Sequence, residues 1–318
     1  MTTTTTPQPP TIFLTSATGS QGLNLARLLR SQSPPWPVHA TVRSLTTPAA
    51  TTLSSLGVTL TQASWDDLPS LSTSLHSCTA LFLNLLLDPS APTHELTQAK
   101  NILSLAHSAG VKQIVYSSAA ALASLSQHFN VDQDANPVML ASLQSKQAIE
   151  HEIKSGGCWD SWTILRGANF MENFLEPKVG GMFPGLRESG VWRGAFKRGV
   201  RLPFVATVDI ARFALEAFKD PGGGLKAQEV NIVGEEITPE GVVEVLGRVT
   251  GREMRFEEVS DEQVEREKGE NPFITTGLAV RMMGRFMKRE ETEGWGVELT
   301  GFEEFLRSNE EGVRRTYW

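Results

Sequence analysis

The chain has 318 residues, enough for one large domain or for a domain with a smaller satellite. A hydrophobic content of 40% is typical of a globular protein, and no apolar stretch is long enough to span a bilayer, so no membrane association is expected. The net charge of −7 argues against direct nucleic-acid binding. Cys78 and Cys158 are too few for a disulfide framework, and no Cys/His cluster has metal-ligand spacing, so a reducing, cytoplasmic location is expected.

The chain begins with a threonine- and proline-rich stretch, residues 1–10, which lacks the features of a signal peptide and is expected to be a disordered lead-in. A strand is then predicted over Ile12–Thr15 and a helix over Gly22–Ser31. The turn between them is built of small residues, which let the backbone approach a diphosphate at the helix N-terminus. This order predicts a dinucleotide cradle, with an ordinary tight turn as the alternative. The candidate contacts are Ser16, Thr18, Gly19, Gln21 and Gly22.

Short apolar runs and helical patterns alternate along the chain after this turn. The further predicted strands are Val38–Val42, Val58–Gln62, Ala80–Leu85, Gln113–Ser117, Thr163–Arg166 and Glu229–Val233. The further predicted helices are Ala49–Leu56, Asp67–Leu75, His94–Ala109, Met139–Lys154, Val208–Lys219 and Pro239–Val249. This alternation predicts an α/β protein with a Rossmann-type, doubly wound parallel sheet.

The same pattern predicts the domain organisation. Residues 11–166, with residues 202–235 returning to the sheet, are expected to form a Rossmann domain that binds NAD(P). In residues 167–201 and 236–318 the alternation breaks, and these segments are expected to form a smaller, helix-rich region that binds substrate and caps the sheet edge. That placement follows because open α/β sheets bind ligands at the carboxyl ends of their strands.

The end of the second predicted strand indicates which nicotinamide dinucleotide is bound. A carboxylate at this place binds the ribose diol of NAD, whereas a cation accepts the extra phosphate of NADP. The strand is followed by Arg43 and by Ser44, whose hydroxyl is a further candidate contact to the phosphate, and the first acidic residue of the whole chain is Asp66. A guanidinium binds phosphate through two parallel hydrogen bonds, so the sequence predicts NADP(H), with a merely solvated Arg43 as the alternative.

With these features the chain resembles the NmrA-like family, an atypical short-chain dehydrogenase/reductase group close to isoflavone-reductase-like proteins. The matching stretches are Thr15–Gly22, Thr41–Arg43, Gly57–Asp67, Lys112–Ser118, Gln144–Glu152 and Thr163–Phe174. The resemblance implies a Rossmann domain that binds NADP(H) and a smaller C-terminal substrate region. The chain departs from the family turn at Ser16, where the family usually has glycine. It departs again after the third strand, where Ser64 and Trp65 become the candidate contacts to the adenine.

Short-chain dehydrogenases carry a serine after the fifth strand and a Tyr-x-x-x-Lys on the next helix. Here Ser117 and Ser118 follow the strand and Lys146 lies on the helix, but Ser142 stands where the tyrosine is expected. The resemblance implies that Lys146 orients the nicotinamide ribose and relays a proton, because isoflavone-reductase-like enzymes also lack the tyrosine. The predicted catalytic residues are therefore Lys146, Ser117 and Ser118, with a plain surface lysine as the alternative for Lys146.

Further candidate contacts follow the fourth and sixth predicted strands. Asn84 is either a cofactor contact or a turn residue. In the family the turn that contains Asn169 and Phe170 packs beside the nicotinamide, although Phe170 fits a core position equally well. Residues 279–289 are basic and rich in methionine, which is typical of a packing helix, a lid over an apolar substrate, or a partner-binding helix.

The resulting function is an NADPH-dependent reductase that transfers hydride to a small apolar substrate, an aromatic or polyketide-like secondary metabolite. The alternative is a non-catalytic, NADP(H)-sensing regulator that controls a protein partner, for which a nuclear location is also compatible. A non-redox rearrangement with the cofactor kept bound is a third possibility. An apolar pocket near Asn169 favours an enzyme, whereas a filled crevice favours a regulator.

Overall fold

A computed structural model describes residues 9–86, 88, 90–91, 93–120, 137–268, 274 and 276–318. Apart from residues 9 and 10, the predicted disordered lead-in lies outside the described residues. The chain divides into two compact units. The first comprises the residues up to Ser117, together with Ala148–Ile164 and Ala211–Glu229. The second comprises Ser118–Gln147, Leu165–Ile210 and Val230–Trp318. The predicted division into a cofactor domain and a substrate region remains a prediction.

A seven-stranded sheet confirms the predicted Rossmann-type α/β fold. Its strand order is β10-β6-β5-β4-β1-β2-β3. All seven predicted strands are members of this sheet, with ends within two residues of the predicted ones. The strands are β1 (Ile12–Leu14), β2 (Val38–Val42), β3 (Thr59–Gln62), β4 (Ala80–Leu83), β5 (Gln113–Ala119), β6 (Ser161–Gly167) and β10 (Gln228–Ile232).

The centre of the sheet fixes where a ligand can bind. Strand β1 pairs in parallel with β2 on one side, Leu14 opposite Ala40, and with β4 on the other, Leu14 opposite Phe82. All of β1 is buried, as its continuous apolar sequence predicts for a strand covered on both faces. The strand order reverses between β1 and β4, and such a reversal opens a crevice beyond the carboxyl ends of the two strands.

Helices connect these strands, and the sequence specifies where several of them begin. They are α1 (Ser20–Arg30), α2 (Pro48–Ser55), α3 (Leu68–Leu75), α4 (His94–Ser108) and α5 (Pro137–Ser155). The Thr47 hydroxyl accepts a hydrogen bond from the amide of Ala50 at the start of α2. The Asp67 carboxylate accepts one from the amide of Ser70 at the start of α3. Each cap satisfies an N–H group that the helix itself leaves open.

The chain after β6 adds two small sheets and further helices. Strands β7 (Asn169–Phe170), β9 (Leu202–Val205) and β11 (Glu235–Ile237) form one sheet, and β8 (Val191–Gly194) pairs with β12 (Arg255–Glu258). A 3₁₀ turn spans Met171–Phe174. The helices are α6 (Val179–Met182), α7 (Leu186–Ser189), α8 (Thr207–Lys219), α9 (Pro239–Thr250), α10 (Asp261–Glu267), α11 (Thr276–Met283), α12 (Arg289–Glu293), α13 (Phe302–Ser308) and α14 (Glu310–Tyr317).

An aromatic cluster forms the core of the second unit. The ring of Phe174 lies 4.6 Å from that of Phe183, 5.3 Å from that of Trp192 and 5.0 Å from that of Phe302 between centroids. Phe174, Trp192 and Phe302 are completely buried. Aromatic side chains bury large apolar areas, so this cluster anchors the 3₁₀ turn that follows β7.

Candidate functional site

Thr15, which follows β1, ties the carboxyl ends of β1 and β4 together. Its hydroxyl lies 3.2 Å from the carbonyl oxygen of Phe82 and 3.0 Å from that of Asn84. The same hydroxyl accepts a hydrogen bond of 2.7 Å from the Asn84 amide. Thr15 is completely buried, so it fixes the floor of the crevice and is a structural residue that the sequence analysis did not single out. Asn84 is a predicted cofactor contact, and its backbone amide and carbonyl oxygen are the groups that bond to Thr15.

The turn between β1 and α1 is tightly closed on itself. Ser16 has a φ of +47°, a left-handed conformation that non-glycine residues adopt at a cost. Its carbonyl oxygen accepts a hydrogen bond of 2.9 Å from the amide of Gly19. A β-carbon at Gly22 would lie 2.5 Å from this oxygen and 2.6 Å from the Cα of Ala17. Only glycine fits at position 22, which brings the start of α1 against the turn.

The N-terminus of α1 is arranged as an anion-binding site. Gly19 precedes the helix in an extended conformation and, being glycine, has no side chain that could cap the first turn. The first turn contains no acidic residue. Its amide groups therefore offer donors and a favourable dipole, without a carboxylate to compete with an anion. Gly19 and its neighbour Thr18 are both exposed, so a ligand has access to this end of the helix.

A cleft with a volume of about 680 Å³ opens beside this turn, within the first unit. It extends from the turn across the ends of β2 and β3 to the start of α4. The residues that line it are Ser16, Thr18, Gly19, Thr41, Val42, Arg43, Ala63, Ser64, Trp65, Asp66, Leu86, Asp88, His94, Glu95 and Gln98. The cleft thus joins six of the predicted cofactor contacts, namely Ser16, Thr18, Gly19, Arg43, Ser64 and Trp65. Its size is within the range of small-molecule and cofactor sites.

Arg43 follows β2 at the wall of the cleft. Its side chain is exposed and makes no hydrogen bond or ion pair with any other described residue. The neighbouring Ser44 hydroxyl lies 3.0 Å from the hydroxyl of Thr46 and accepts a hydrogen bond from the Thr46 amide, so it shapes the local turn. Arg43 is therefore a cation at the edge of a cleft, with its guanidinium available to an external phosphate.

The far end of the cleft contains polar groups that the sequence analysis missed. The Asp66 carboxylate lies 2.7 Å from Nε2 of His94. Both of its oxygens accept a hydrogen bond of 3.2 Å from the side-chain NH₂ group of Gln98. The Ser64 hydroxyl accepts a hydrogen bond from the Asp66 amide, and Trp65 beside it is half-buried. His94 is the first residue of α4, the helix that follows β4 along the chain, and this was the available signal. Helices that follow strands of a parallel sheet start at the ligand edge.

Ser117 and Gln21 are joined across the other side of the turn. The Ser117 hydroxyl donates a hydrogen bond of 2.6 Å to Oε1 of Gln21. Ser117 lies near the end of β5 and is 3% exposed, whereas Gln21 is half-buried in the first turn of α1. Two predicted site residues of different classes, one catalytic and one cofactor-binding, thus contact each other directly.

The second unit has a separate, smaller pocket that includes Asn169. Its volume is about 90 Å³. The residues that line it are Asn169, Met182, Phe183, Pro184, Arg193, Gly194, Ala195, Phe196, Ile274, Gly277 and Val280. The Arg193 guanidinium is held by both carboxylate oxygens of Glu267, at 2.6 and 2.7 Å. Polar and apolar groups contribute to the pocket surface in similar measure, and Asn169 and Arg193 are among the polar ones.

A hydrogen bond between two asparagine side chains stabilises the turn around Asn169. Oδ1 of Asn169 accepts a hydrogen bond of 3.1 Å from the side-chain amide of Asn173. The Phe170 ring is half-buried, with the ammonium of Lys178 at 5.9 Å from its centroid. Phe170 is thus neither a fully buried core residue nor part of the pocket lining. Strand β7, which contains both residues, pairs in parallel with β9, and Asn169 lies opposite Phe204.

Glu172 fastens the 3₁₀ turn to the start of α8. Its Oε1 accepts a hydrogen bond of 2.9 Å from the Thr207 amide and another from the Thr207 hydroxyl. Its Oε2 is out of contact with solvent and has no hydrogen-bond partner in the described part of the chain. Burial raises the pKa of the Glu172 carboxyl above its ordinary value, against the lowering effect of the Thr207 hydrogen bonds.

Asp209, near the start of the same helix, has a structural role. It is completely buried, and its two carboxylate oxygens accept hydrogen bonds from the Thr300 hydroxyl at 2.7 Å and the Thr300 amide at 3.1 Å. Asp209 therefore joins α8 to the segment that precedes α13.

The model of the NmrA-like family matches residues 8–306. The chain belongs to the NmrA-like family. The predicted resemblance is thereby confirmed. One relative is the NmrA-like family domain-containing oxidoreductase ptmS of Penicillium ochrochloron, which is 28% identical over 256 residues, 76% of this chain and 74% of the relative.

Solved structures of NmrA-like and related proteins share the fold. The negative transcriptional regulator NmrA, in complex with NAD, aligns with a TM-score of 0.73 at 20% identity, covering 97% of this chain and 98% of its own. Triphenylmethane reductase of Citrobacter sp., complexed with NADP(H), aligns with a TM-score of 0.69 at 21% identity, covering 94% and 99%. This chain thus aligns about equally well with a regulator and with an enzyme. The shared fold does not distinguish the two functions, so the choice between them depends on the residues of this chain.

The remaining catalytic candidates of this NmrA-like chain lie in the second unit. Lys146 is half-buried on α5, and Ser118 is 6% exposed on β5. Neither tyrosine lines the cleft of the first unit or the small pocket of the second. Tyr116 is completely buried in the core of the first unit, and the hydroxyl of Tyr317 donates a hydrogen bond of 2.8 Å to the carbonyl oxygen of Phe174. Burial raises the pKa of Tyr317 further above its ordinary range.

The methionine-rich basic segment, residues 279–289, is largely a packing element. Val280 and Met287 are buried, and Met283 packs against the core of the second unit. Val280 also lines the small pocket, together with Gly277 of the same helix, α11. None of the helices in the part of the chain that the structure describes combines the length and hydropathy needed to cross a bilayer.

Proposed function

We propose that this protein is an NADP(H)-dependent reductase that transfers hydride to a small apolar substrate of the aromatic or polyketide-like class. The observation that carries the proposal is the cradle between β1 and α1. Glycine at position 22 is sterically required, the N-cap residue Gly19 has no capping side chain, the first turn has no acidic residue, and a cleft of about 680 Å³ opens beside it. These are the properties that a dinucleotide diphosphate requires of its binding site.

The residues present fit this cofactor. The amides that follow Gly19 would hold the diphosphate, Trp65 and Ser64 would contact the adenine, and Arg43 would hold the 2′-phosphate. The position of Arg43 favours NADP(H) over NAD(H), because the guanidinium has no carboxylate partner among the described residues. When bound, the reduced cofactor supplies a hydride.

The small pocket of the second unit is proposed to take part of a substrate. Its volume of about 90 Å³ is below that of a whole-ligand site, so it would take one small group. Met182, Phe183 and Phe196 would surround that group, and the Asn169 amide would orient a polar atom next to it. Lys146 would act as the proton donor, because it is the lysine that the chain retains on the helix after β5 while the usual tyrosine is replaced by Ser142. Ser118 is the hydroxyl proposed to assist it.

Calorimetric titration of the wild-type chain with NADPH and with NADH tests the cofactor assignment. We expect NADPH to bind more tightly. Arg43→Ala should weaken NADPH binding by about ten- to a hundredfold, the value of a charge-assisted hydrogen bond, and should leave NADH binding unchanged. Arg27→Ala, which removes an exposed guanidinium outside the cleft, is the matched control. No heat with either nucleotide would overturn the proposal.

A screen of quinones, enones and imines with apolar rings tests the reductase activity, with the consumption of NADPH as the measured signal. Turnover of one compound class is the expected result. Tight NADPH binding without turnover on any candidate would instead favour the alternative, a regulator that senses NADP(H).

A further inference from the structure

We infer that Ser117 is a positioning residue for Gln21, and that the Gln21 side-chain amide held in this way binds the nicotinamide side of the cofactor. The inference rests on the proposed function. It changes the role predicted for Ser117, whose place after the fifth strand is that of a catalytic serine.

The first step is the direction of the hydrogen bond between the two side chains. The Ser117 hydroxyl donates to Oε1 of Gln21 at 2.6 Å, a short distance for a neutral pair. An amide has one acceptor oxygen and an NH₂ group with two donors. With the oxygen bonded to Ser117, the NH₂ group is the end of the amide that can donate to a ligand. Ser117 therefore decides which end of the amide Gln21 presents.

The second step is the position of Gln21. It is the second residue of α1, in the same first turn as the amides proposed to hold the diphosphate. Gln21 is not part of the cleft that contains Arg43 and Trp65, which covers the β1-β2-β3 side of the sheet. Its partner Ser117 is on β5, on the opposite side of β1 in the strand order. Gln21 thus stands where a dinucleotide leaves the adenine cleft and continues towards the nicotinamide.

The third step concerns charge. A phosphate oxygen or a ribose hydroxyl accepts hydrogen bonds, so a Gln21 amide with its oxygen facing this region would repel a phosphate, whereas its NH₂ group binds one. Ser117 is 3% exposed, and its hydroxyl is engaged by Gln21. Side chains of successive strand residues point to opposite faces, so Ser118 does not share this contact. Ser118 therefore remains the serine proposed for the chemistry.

The test is a double-mutant cycle of NADPH affinity, measured by calorimetry on the full chain with Ser117→Ala, Gln21→Ala and the double variant. We expect Ser117→Ala to raise the Kd for NADPH by roughly three- to tenfold, the effect of one neutral hydrogen bond. In the Gln21→Ala background the same substitution should add nothing, because Ser117 acts only through Gln21. Ser117→Thr, which retains the hydroxyl, should restore most of the affinity. Ser74→Ala, at another buried serine of the first unit, is the control.

Kinetics separate a positioning role from a catalytic one. Once a substrate is known, Ser117→Ala should raise the KM for NADPH and leave kcat at saturating NADPH unchanged. Additive losses in the cycle, or a fall in kcat with an unchanged Kd, would overturn the inference while leaving the proposed function intact. A wild-type chain that binds neither nucleotide would reject both.

Discussion

Gly22 packs against Ser16 so closely that no side chain fits between the start of α1 and the turn before it. A β-carbon at position 22 would stand 2.5 Å from the Ser16 carbonyl oxygen, a distance that real β-carbons do not adopt. The obstructing atoms are backbone atoms, so a rotamer change cannot relieve the contact. The same close approach lets the amides of the turn and of the helix face one anion together.

Gly22→Ala is therefore expected to destabilise the protein and to weaken NADPH binding. Overpacking against fixed backbone costs about 1–3 kcal/mol, which exceeds the gain of about 1 kcal/mol that alanine brings to a helix. Chemical denaturation and NADPH titration measure the two effects. Gly181→Ala is the matched control, because Gly181 is helical and a β-carbon there meets nothing within 4 Å. An equal or greater stability of Gly22→Ala would show that the turn can open.

The left-handed conformation of Ser16 leads to a second prediction. The left-handed conformation costs a non-glycine residue about 1 kcal/mol of folding free energy. Glycine avoids this cost, but it gives the unfolded chain more conformational entropy, which cancels part of the gain in stability. Ser16→Gly should therefore stabilise the fold by less than about 1 kcal/mol. It should also lower the Kd for NADPH, because the turn approaches the diphosphate more closely without a side chain.

Ser77, with a φ of +67°, is the control for this substitution. It does not line the cleft, so Ser77→Gly should produce a similar gain in stability with an unchanged Kd for NADPH. Weaker NADPH binding by Ser16→Gly would instead identify the serine hydroxyl as a contact in its own right.

Periodicity and turn chemistry were enough to predict the sheet. The strands are short apolar runs between turn residues, and Thr47 and Asp67 specify helix starts through local hydrogen bonds. Such signals act within a few residues of the chain, and so they can be read from the sequence.

Contacts between distant segments could not be predicted in the same way. Gln21 and Ser117 are far apart in sequence, as are Asp66 and His94, and no periodicity links the members of either pair. The strand order brings them together at the carboxyl edge. Motif position identified Gln21 and Ser117 as separate candidates. It could not predict that the Ser117 hydroxyl donates a hydrogen bond to the Gln21 side chain. It missed Asp209 as a buried partner of Thr300 for the same reason.

The burial of both tyrosines predicts that neither contributes to turnover. Tyr116→Phe and Tyr317→Phe should keep the kcat of the wild-type reductase, because Tyr116 lies in the core and the Tyr317 hydroxyl is bound to the Phe174 carbonyl. Tyr317→Phe should destabilise the fold by about 1 kcal/mol through the lost hydrogen bond.

Steady-state rates with the identified substrate and denaturation midpoints measure these effects. Lys146→Ala, on the residue proposed as the acid, should abolish most turnover, whereas Lys154→Ala, on the same helix, should not. A large loss of kcat in either tyrosine variant with an intact fold would contradict the proposed acid.

The buried carboxyl of Glu172 predicts how stability changes with pH. Its pKa in the folded protein is raised above the ordinary value of 4.5, so between the two values the folded state binds more protons than the unfolded state. The free energy of unfolding therefore falls as pH rises from about 4.5 through the raised pKa. Glu172→Gln cannot ionise, so its stability should lack this fall, and the difference between wild type and variant should shrink or reverse sign with rising pH.

Glu303 supplies the control of opposite sign. Arg248 and Arg307 hold the pKa of its carboxyl at about 2, so its stabilising contribution is fully present above pH 4.5 and is lost as pH falls from 4.5 through about 2. Urea denaturation from pH 4 to 8 measures the free energy of unfolding of each variant. The difference between wild type and Glu172→Gln should change over this pH range, whereas the difference between wild type and Glu303→Gln should be nearly constant. A flat difference for Glu172→Gln would mean that the Thr207 hydrogen bonds outweigh burial and keep the carboxylate ionised in the fold.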